Sequence, residues 1–285
     1  MKYIGTSLKE ELKRPLIDSY FPHASYSNSV ILDGTTDYLE SQDNTWLSLN
    51  SLDEENQTAA SWSMWFKGSS QNMCFFSKDA GTNTLEYRMF LLNNKVYFDT
   101  HTNNTSNYTR TYTATDTSVM DGSWNHIVFT INEMNLKRIY LNGVEMNYQN
   151  TGSGGTYTGP NNESSSLWIG HMTSSAGYDF SGNIMNVCMW SNYELNPWEV
   201  KHVYGVEGGV IRYPNLNKDT EIYKGASHLV LWLTCQESVS FSYMGSSYTG
   251  IANSATPYAE SDFNRPGGGE FKNQAAIDTN DSPTT

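Results

Sequence analysis

The sequence predicts an all-β chain of antiparallel strands. Two observations carry that prediction. Charged residues fill only 16% of the 285 positions, while 19 tyrosines and 8 tryptophans stand among abundant Ser, Thr, Asn and Gly. Helical surfaces are usually written in Glu and Lys, whereas Thr, Tyr and Trp favour strands. The second observation is a run of short segments alternating apolar and polar residues, separated by Asn-Asn, Asn-Gly and Asp-Gly turn signals.

Taken in order, residues 1–23 read as an N-terminal arm. SLKEELKR fits one or two helical turns from Ser7, with Glu10 at the capping-box position and Pro15 as the limit. Strands begin with SVILDGTTDYLE, which alternates and carries a DG turn. SWSMWFKG puts Trp62, Met64 and Phe66 on one face and Ser61, Ser63 and Trp65 on the other. MCFFSKD, LEYRMFLLNN and KVYFDT follow, with Asn93-Asn94 as a two-residue hairpin turn. Residues 101–118 read as a strand with a long polar loop.

WNHIVFTI and KRIYLNGVEM form the next pair. Trp124, His126, Val128 and Thr130 share one face, and Asn125, Ile127, Phe129 and Ile131 the other. The short NEMNLK connection makes them antiparallel neighbours. QNTGSGGTYTGPNNESSS, residues 149–166, reads as a loop. SLWIGHM and FSGNIMNVCMW are two further strands. Asn196 then caps a short helix with Pro197 at its first position, stopped by Gly205. The expected organisation is an arm over 1–23, a β domain over 24–205 and a C-terminal extension over 206–285. That extension contains one apolar strand, 229–233, and a Gly/Thr-rich tail.

Bulk properties exclude several function classes. A net charge of −13 argues against a nucleic-acid partner, because phosphate binding needs clustered Lys and Arg. No segment reaches the ~20 apolar residues of a membrane helix, so membrane insertion is not expected. Cys74, Cys188 and Cys235 sit in apolar runs without metal-ligand spacing, and read as buried thiols. The N-terminus shows no signal-peptide pattern.

The order of segments resembles a laminin-G-like domain of the concanavalin A-like lectin/glucanase superfamily. The matching pieces are SVILDGTTDYLE, ASWSMWFKG, the DGSWNHIVFTI…KRIYLNGVEM hairpin, SLWIGHM, and FSGNIMNVCMWSNYELNPWEVKHVYG. The resemblance implies a two-sheet antiparallel jelly-roll sandwich, and the strand alternation agrees with it. The tail resembles that of such domains in tailed-bacteriophage virion proteins. It implies a structural protein of the virion, a capsid decoration or tail-associated protein, assembled in the host cytoplasm. Its expected partners are other virion proteins, further copies of itself and a host-surface glycan. A free carbohydrate-binding module is the alternative.

No catalytic residue is assigned. Glucanases of the superfamily need carboxylates flanking one bond, commonly as E-x-D-x-x-E or E-x-D-x-E. Here DEEN at 53–56 places neighbours on opposite faces, and DTE at 219–221 lacks a third partner. His126 lies in a strand, and is read as a hydrogen-bonded histidine inside the sandwich beside Trp124. No cofactor is expected apart from calcium, which the resemblance admits. Asp33 and Asp37 have suitable oxygen-donor spacing, although Asp33 equally serves the DG turn. The ligand-binding candidates are Tyr108, Tyr112, Tyr157 and Tyr178 beside Asp179, since tyrosine offers an apolar face and a polar tip. Packing of strand edges or of a subunit interface is the competing role for these rings.

Overall fold

The computed structural model describes residues 26–49, 59–81, 85–102, 104–153, 160–162, 164–207, 210–236, 239–243, 246–255, 268–272 and 275–278. The arm at 1–23 therefore lies outside the described residues, as does DEEN at 53–56.

The first half of the chain contributes β1 (Ser29–Asp33), β2 (Tyr38–Ser41), β3 (Ala60–Gly68), β4 (Asn72–Asp79), β5 (Leu85–Leu92), β6 (Lys95–Thr102) and β7 (Asn104–Thr113). The central stretch adds β8 (Asn125–Ile131), β9 (Lys137–Leu141), β10 (Val144–Glu145), β11 (Tyr148–Ser153), β12 (Leu167–Ile169) and β13 (Ser181–Ser191). After helix α1 (Pro197–Tyr204) come β14 (Val206–Glu207), β15 (Val210–Ile211), β16 (Leu229–Leu233) and β17 (Val239–Tyr243). The last are β18 (Ser246–Ala252), β19 (Gly268–Lys272) and β20 (Ala276–Asp278).

Two large antiparallel sheets result, beside a two-stranded ribbon of β14 and β15. The first runs β10-β9-β8-β3-β13-β1-β20, with β16 also paired to β13, and the second runs β11-β7-β6-β5-β4-β12-β2-β19-β18-β17. They pack face to face as a jelly-roll sandwich, each strand sending alternate side chains inward. Trp62 and Phe66 from the eight-stranded sheet meet Tyr87, Phe98 and Phe75 from the ten-stranded one, with ring centroids 4.9 to 5.6 Å apart. Burying such rings contributes roughly 1.5–3 kcal/mol each, so this layer dominates the stability.

The tight turns form as the sequence predicts. Asn93 and Asn94 take φ of 50° and 63° between β5 and β6, and Asn142 and Gly143 take 51° and 76° between β9 and β10. Both pairs sit in the left-handed region that a two-residue hairpin requires. At Gly143 a Cβ would also come within 2.8 Å of the Tyr204 ring.

A second apolar layer covers the outer face of the eight-stranded sheet. Val128, Cys188, Trp190 and Trp232 of the sheet pack against Val200 and Val203 of α1 and against Tyr223. This explains why both faces of β3, β8 and β13 are buried. Helix α1 has the expected cap: Asn196 Oδ1 accepts from the amides of Trp198 and Glu199, and Glu199 Oε2 accepts from the Asn196 amide. Gly205 closes it with φ 70°, where a Cβ would lie 2.2 Å from the Arg212 carbonyl oxygen.

Three expectations are corrected. Residues 149–153, read as loop, belong to edge strand β11, held by six register pairs with β7. The segment after 205 is more than one apolar strand: β16 and β20 join the eight-stranded sheet, while β17, β18 and β19 extend the other. His126 does not point into the sandwich beside Trp124. It lies under α1, with its ring centroid 5.2 Å from Trp65 and 5.6 Å from Tyr204.

Candidate functional site

The period of two along β5, β6 and β7 sorts their side chains cleanly. Tyr87, Met89, Leu91, Val96 and Phe98 enter the core. Arg88, Phe90, Tyr97, Asp99, His101, Tyr108, Arg110 and Tyr112 therefore stand on the outer face of the ten-stranded sheet. Register places them in rows. Phe90 opposes Tyr97, which opposes Tyr112; Arg88 opposes Asp99, which opposes Arg110; His101 opposes Tyr108.

The first row is an aromatic ladder. Phe90 and Tyr97 stack at 5.0 Å, and Tyr97 and Tyr112 at 5.3 Å. Tyr178 reaches the same row from the 170–180 loop and meets Phe90 edge to face at 5.6 Å. That loop is pinned by the Cys74 amide, which donates to the Tyr178 carbonyl at 2.6 Å, and by the Ser174 hydroxyl, which donates to Asp79 Oδ2 at 2.6 Å. Tyr112 Oη donates to Gln149 Oε1 at 2.7 Å, which fixes the outer end.

The second row is ionic. Arg88 Nε donates to Asp99 Oδ2 at 2.9 Å, and Arg110 donates through Nε to Oδ1 at 2.6 Å and through Nη2 to Oδ2 at 2.7 Å. Burial pushes the Asp99 carboxyl upward, but the Arg110 hydrogen bond and the two guanidiniums outweigh it and hold it below its ordinary value. The Arg110 guanidinium also lies 4.9 Å from the Tyr108 centroid and 5.1 Å from that of Tyr97. His101, buried beside Tyr108, is pushed down to about 4, by burial first and then by Arg88.

Of the predicted ligand-binding residues, Tyr108, Tyr112 and Tyr178 thus share this face. Asp179 stands at its margin, accepting a 2.6 Å hydrogen bond from His171 Nδ1. His171 stacks on Tyr38 at 4.7 Å and lies 5.6 Å from Trp168, so the aromatic surface continues onto β2 and β12. Tyr157 lies outside the described residues. Phe90, Tyr97, Arg88, Asp99 and Arg110 were missed. The usable signal was the spacing in KVYFDTH and NYTRTY, where polar and aromatic residues recur at every second position.

The other candidates have structural work. Asp33 Oδ1 accepts from the amides of Thr35, Thr36 and Asp37, and Oδ2 accepts from the Thr35 hydroxyl at 2.5 Å. These bonds hold its carboxyl far below its ordinary value, led by the Thr35 hydroxyl. Asp37, four residues further on, is buried. Among the described residues no three His, Cys, Asp or Glu side chains gather in metal-ligating geometry. Asp219 of the DTE triplet accepts from the Ala226 amide at 3.1 Å, bracing the turn before β16. A cleft of about 320 Å³ opens beside β7 and β11, lined by Thr109, Arg110, Thr111, Asn135, Lys137 and Asn150.

A two-sheet jelly roll carrying an aromatic and ionic platform on one outer face defines a lectin-like sandwich. The chain belongs to the laminin G 3 family of the concanavalin A-like lectin/glucanases superfamily, whose profile matches residues 33–201, more than half of the chain. No curated protein matches it. A candidate carbohydrate binding protein from Bacteroides ovatus shares the fold, with a TM-score of 0.55 at 10% identity. The alignment covers 91% of this chain but 62% of that protein's length. The SAP-like pentraxin of Limulus polyphemus aligns at a TM-score of 0.47 and 11% identity, over 81% of this chain and 98% of the pentraxin. Domains LG4-5 of the mouse laminin α1 chain align at 0.41 and 10% identity, over 61% of this chain and 45% of theirs.

Proposed function

We propose that this chain is a non-enzymatic carbohydrate-binding module that engages glycans through the outer face of its ten-stranded sheet. The observation that carries the reading is the ladder of Tyr178, Phe90, Tyr97 and Tyr112, flanked by Tyr108 and Arg110. A sugar ring has an apolar C–H face and a rim of hydroxyls. With their faces stacked on one another and Phe90 buried beneath them, the half-buried tyrosines offer apolar ring edges to the former, and guanidinium and carboxamide groups meet the latter. Membership of the lectin/glucanases superfamily supports the same reading.

The test is a glycan array followed by calorimetry on the wild type, Tyr112→Ala and Tyr108→Ala. Each substitution should weaken glycan binding about tenfold, roughly 1.4 kcal/mol, with little change in thermal midpoint. An array without a single ligand would overturn the reading.

Location on a bacteriophage virion is a further proposal, supported by the sequence resemblance. There the module would turn this face toward a host-surface glycan. Its presence or absence in purified particles decides that part.

A further inference from the structure

We infer that this platform selects anionic glycans, those bearing carboxylate or sulfate groups, and that Arg88 and Arg110 make the selection. The inference rests on the carbohydrate-binding reading and narrows its ligand class.

Two guanidiniums here share one carboxylate. Asp99 is fully buried and its oxygens accept three hydrogen bonds, so it is consumed within the sheet. One positive charge in the cluster is left uncompensated. The donors that would express it are specific atoms: among the described residues, Nη1 and Nη2 of Arg88 and Nη1 of Arg110 have no protein acceptor. Both side chains keep about a fifth of their surface open, 18% and 20%.

Their surroundings preorganise them. Arg110 is clamped between Tyr97 and Tyr108, and Arg88 lies 5.4 Å from the Phe90 centroid. Asp99 fixes both forks, so little side-chain entropy remains to be lost on binding. Lys95, 5.9 Å from the Tyr112 centroid, adds a second cation at the end of the ladder. The acidic groups at the opposite margin are engaged elsewhere: Asp179 with His171, and Glu40 with the Ser166 hydroxyl.

The overall charge of −13 would repel an anionic glycan at long range. Screening reverses the balance at contact. The Debye length is about 8 Å at physiological salt, so distant carboxylates are muted while a guanidinium in direct contact is not. Charge-assisted bidentate bonds from Arg suit planar carboxylate and sulfate oxygens alike.

The experiment uses an oligogalacturonate of defined length, the same oligomer with its carboxylates reduced to alcohols, and a heparin oligosaccharide. Binding is measured by calorimetry to wild type and Arg88→Gln, a change that leaves the Arg110 pair with Asp99 intact. The acidic oligomer should bind about tenfold tighter than its reduced form, and R88Q should abolish most of that preference. Raising salt should erode the same preference. Heparin binding that R88Q weakens supports the inference, with sulfate as the recognised group. Equal affinity for the acidic and reduced oligomers, or a preference untouched by R88Q, overturns the inference but leaves the carbohydrate reading standing. Binding of none of the three, together with a blank array, removes both.

Discussion

Asp99 and Arg110 face one another across β6 and β7, and the buried carboxylate takes two guanidinium hydrogen bonds at 2.6 and 2.7 Å. Such a pair costs desolvation to form, and breaking it costs more, because one side is left charged without a partner. Asp99→Asn should destabilise the fold by about 2–3 kcal/mol. That is less than a fully buried pair loses, because both arginines remain partly open. The folded carboxyl titrates below its ordinary 3.8. Its contribution is therefore complete above about pH 3.8 and lost as the pH falls through the lower folded value. Urea melts of wild type and D99N should differ at pH 7 and converge in strong acid. A constant gap down to the lowest accessible pH would refute the assignment.

His126 makes the opposite kind of contribution to pH dependence. Its imidazole is buried under α1 with no hydrogen-bond partner among the described residues, and burial pushes it down to about 3. The unfolded chain binds this proton near pH 6.5 while the folded chain resists it. Stability is therefore full above 6.5 and falls as the pH drops toward 3, by about 1.4 kcal/mol per pH unit. His101 and His202, each pushed down to about 4 mainly by burial, steepen the same limb. His126→Phe keeps an aromatic ring between Trp65 and Tyr204 and should flatten the slope by one proton's worth. Identical slopes in wild type and H126F would sink the argument.

The sandwich was legible because alternation is a local property. Trp62, Met64 and Phe66 point into the core as their spacing dictates, and Asn93-Asn94, Asn142-Gly143 and the Asn196 cap act through their own backbone. The features that were not legible depend on distant partners. Strand β11 has a Gly/Ser/Asn sequence of poor strand propensity, and β7 templates it through register. Strands β19 and β20 are similarly short and poor in apolar residues, and are recruited by β2 and β1. At the site, alternation alone aligns Tyr108 with Tyr112. Joining them to Tyr97, Phe90 and the Arg88–Asp99–Arg110 row needs the cross-strand register, which one strand does not contain.

The three cysteines test three apolar clusters: Cys235 in the sandwich core, Cys188 under α1 and Cys74 beside Phe90. Cys74, Cys188 and Cys235 are all buried as free thiols, and burial pushes each one up, Cys235 to about 12. A thiol must ionise to react. The native protein should therefore leave an aromatic disulfide reagent unconsumed at pH 8, and release three equivalents once denaturant opens it. Fast reaction of even one thiol in the native state would contradict the packing of its layer.

The covering of the eight-stranded sheet includes buried polar contacts, and one of them ties the segment before β16 to the sheet. Trp190 Nε1 donates to Tyr223 Oη at 2.8 Å, and that hydroxyl donates to the Leu216 carbonyl at 3.0 Å. Both rings are buried, so no water replaces a lost partner. Tyr223→Phe leaves a buried indole N–H and a backbone carbonyl unpaired, at a cost of about 1–3 kcal/mol. Trp190→Phe removes the donor as well as volume, and alone should cost more, about 2–4 kcal/mol. The double variant removes both ends of the bond, so its loss should fall short of the sum of the singles by about 1 kcal/mol. Denaturant melts of the four proteins measure that coupling. A sum that is simply additive would mean that Tyr223 holds segment 213–226 against the sheet by packing alone, and the hydrogen bond would have no share in it.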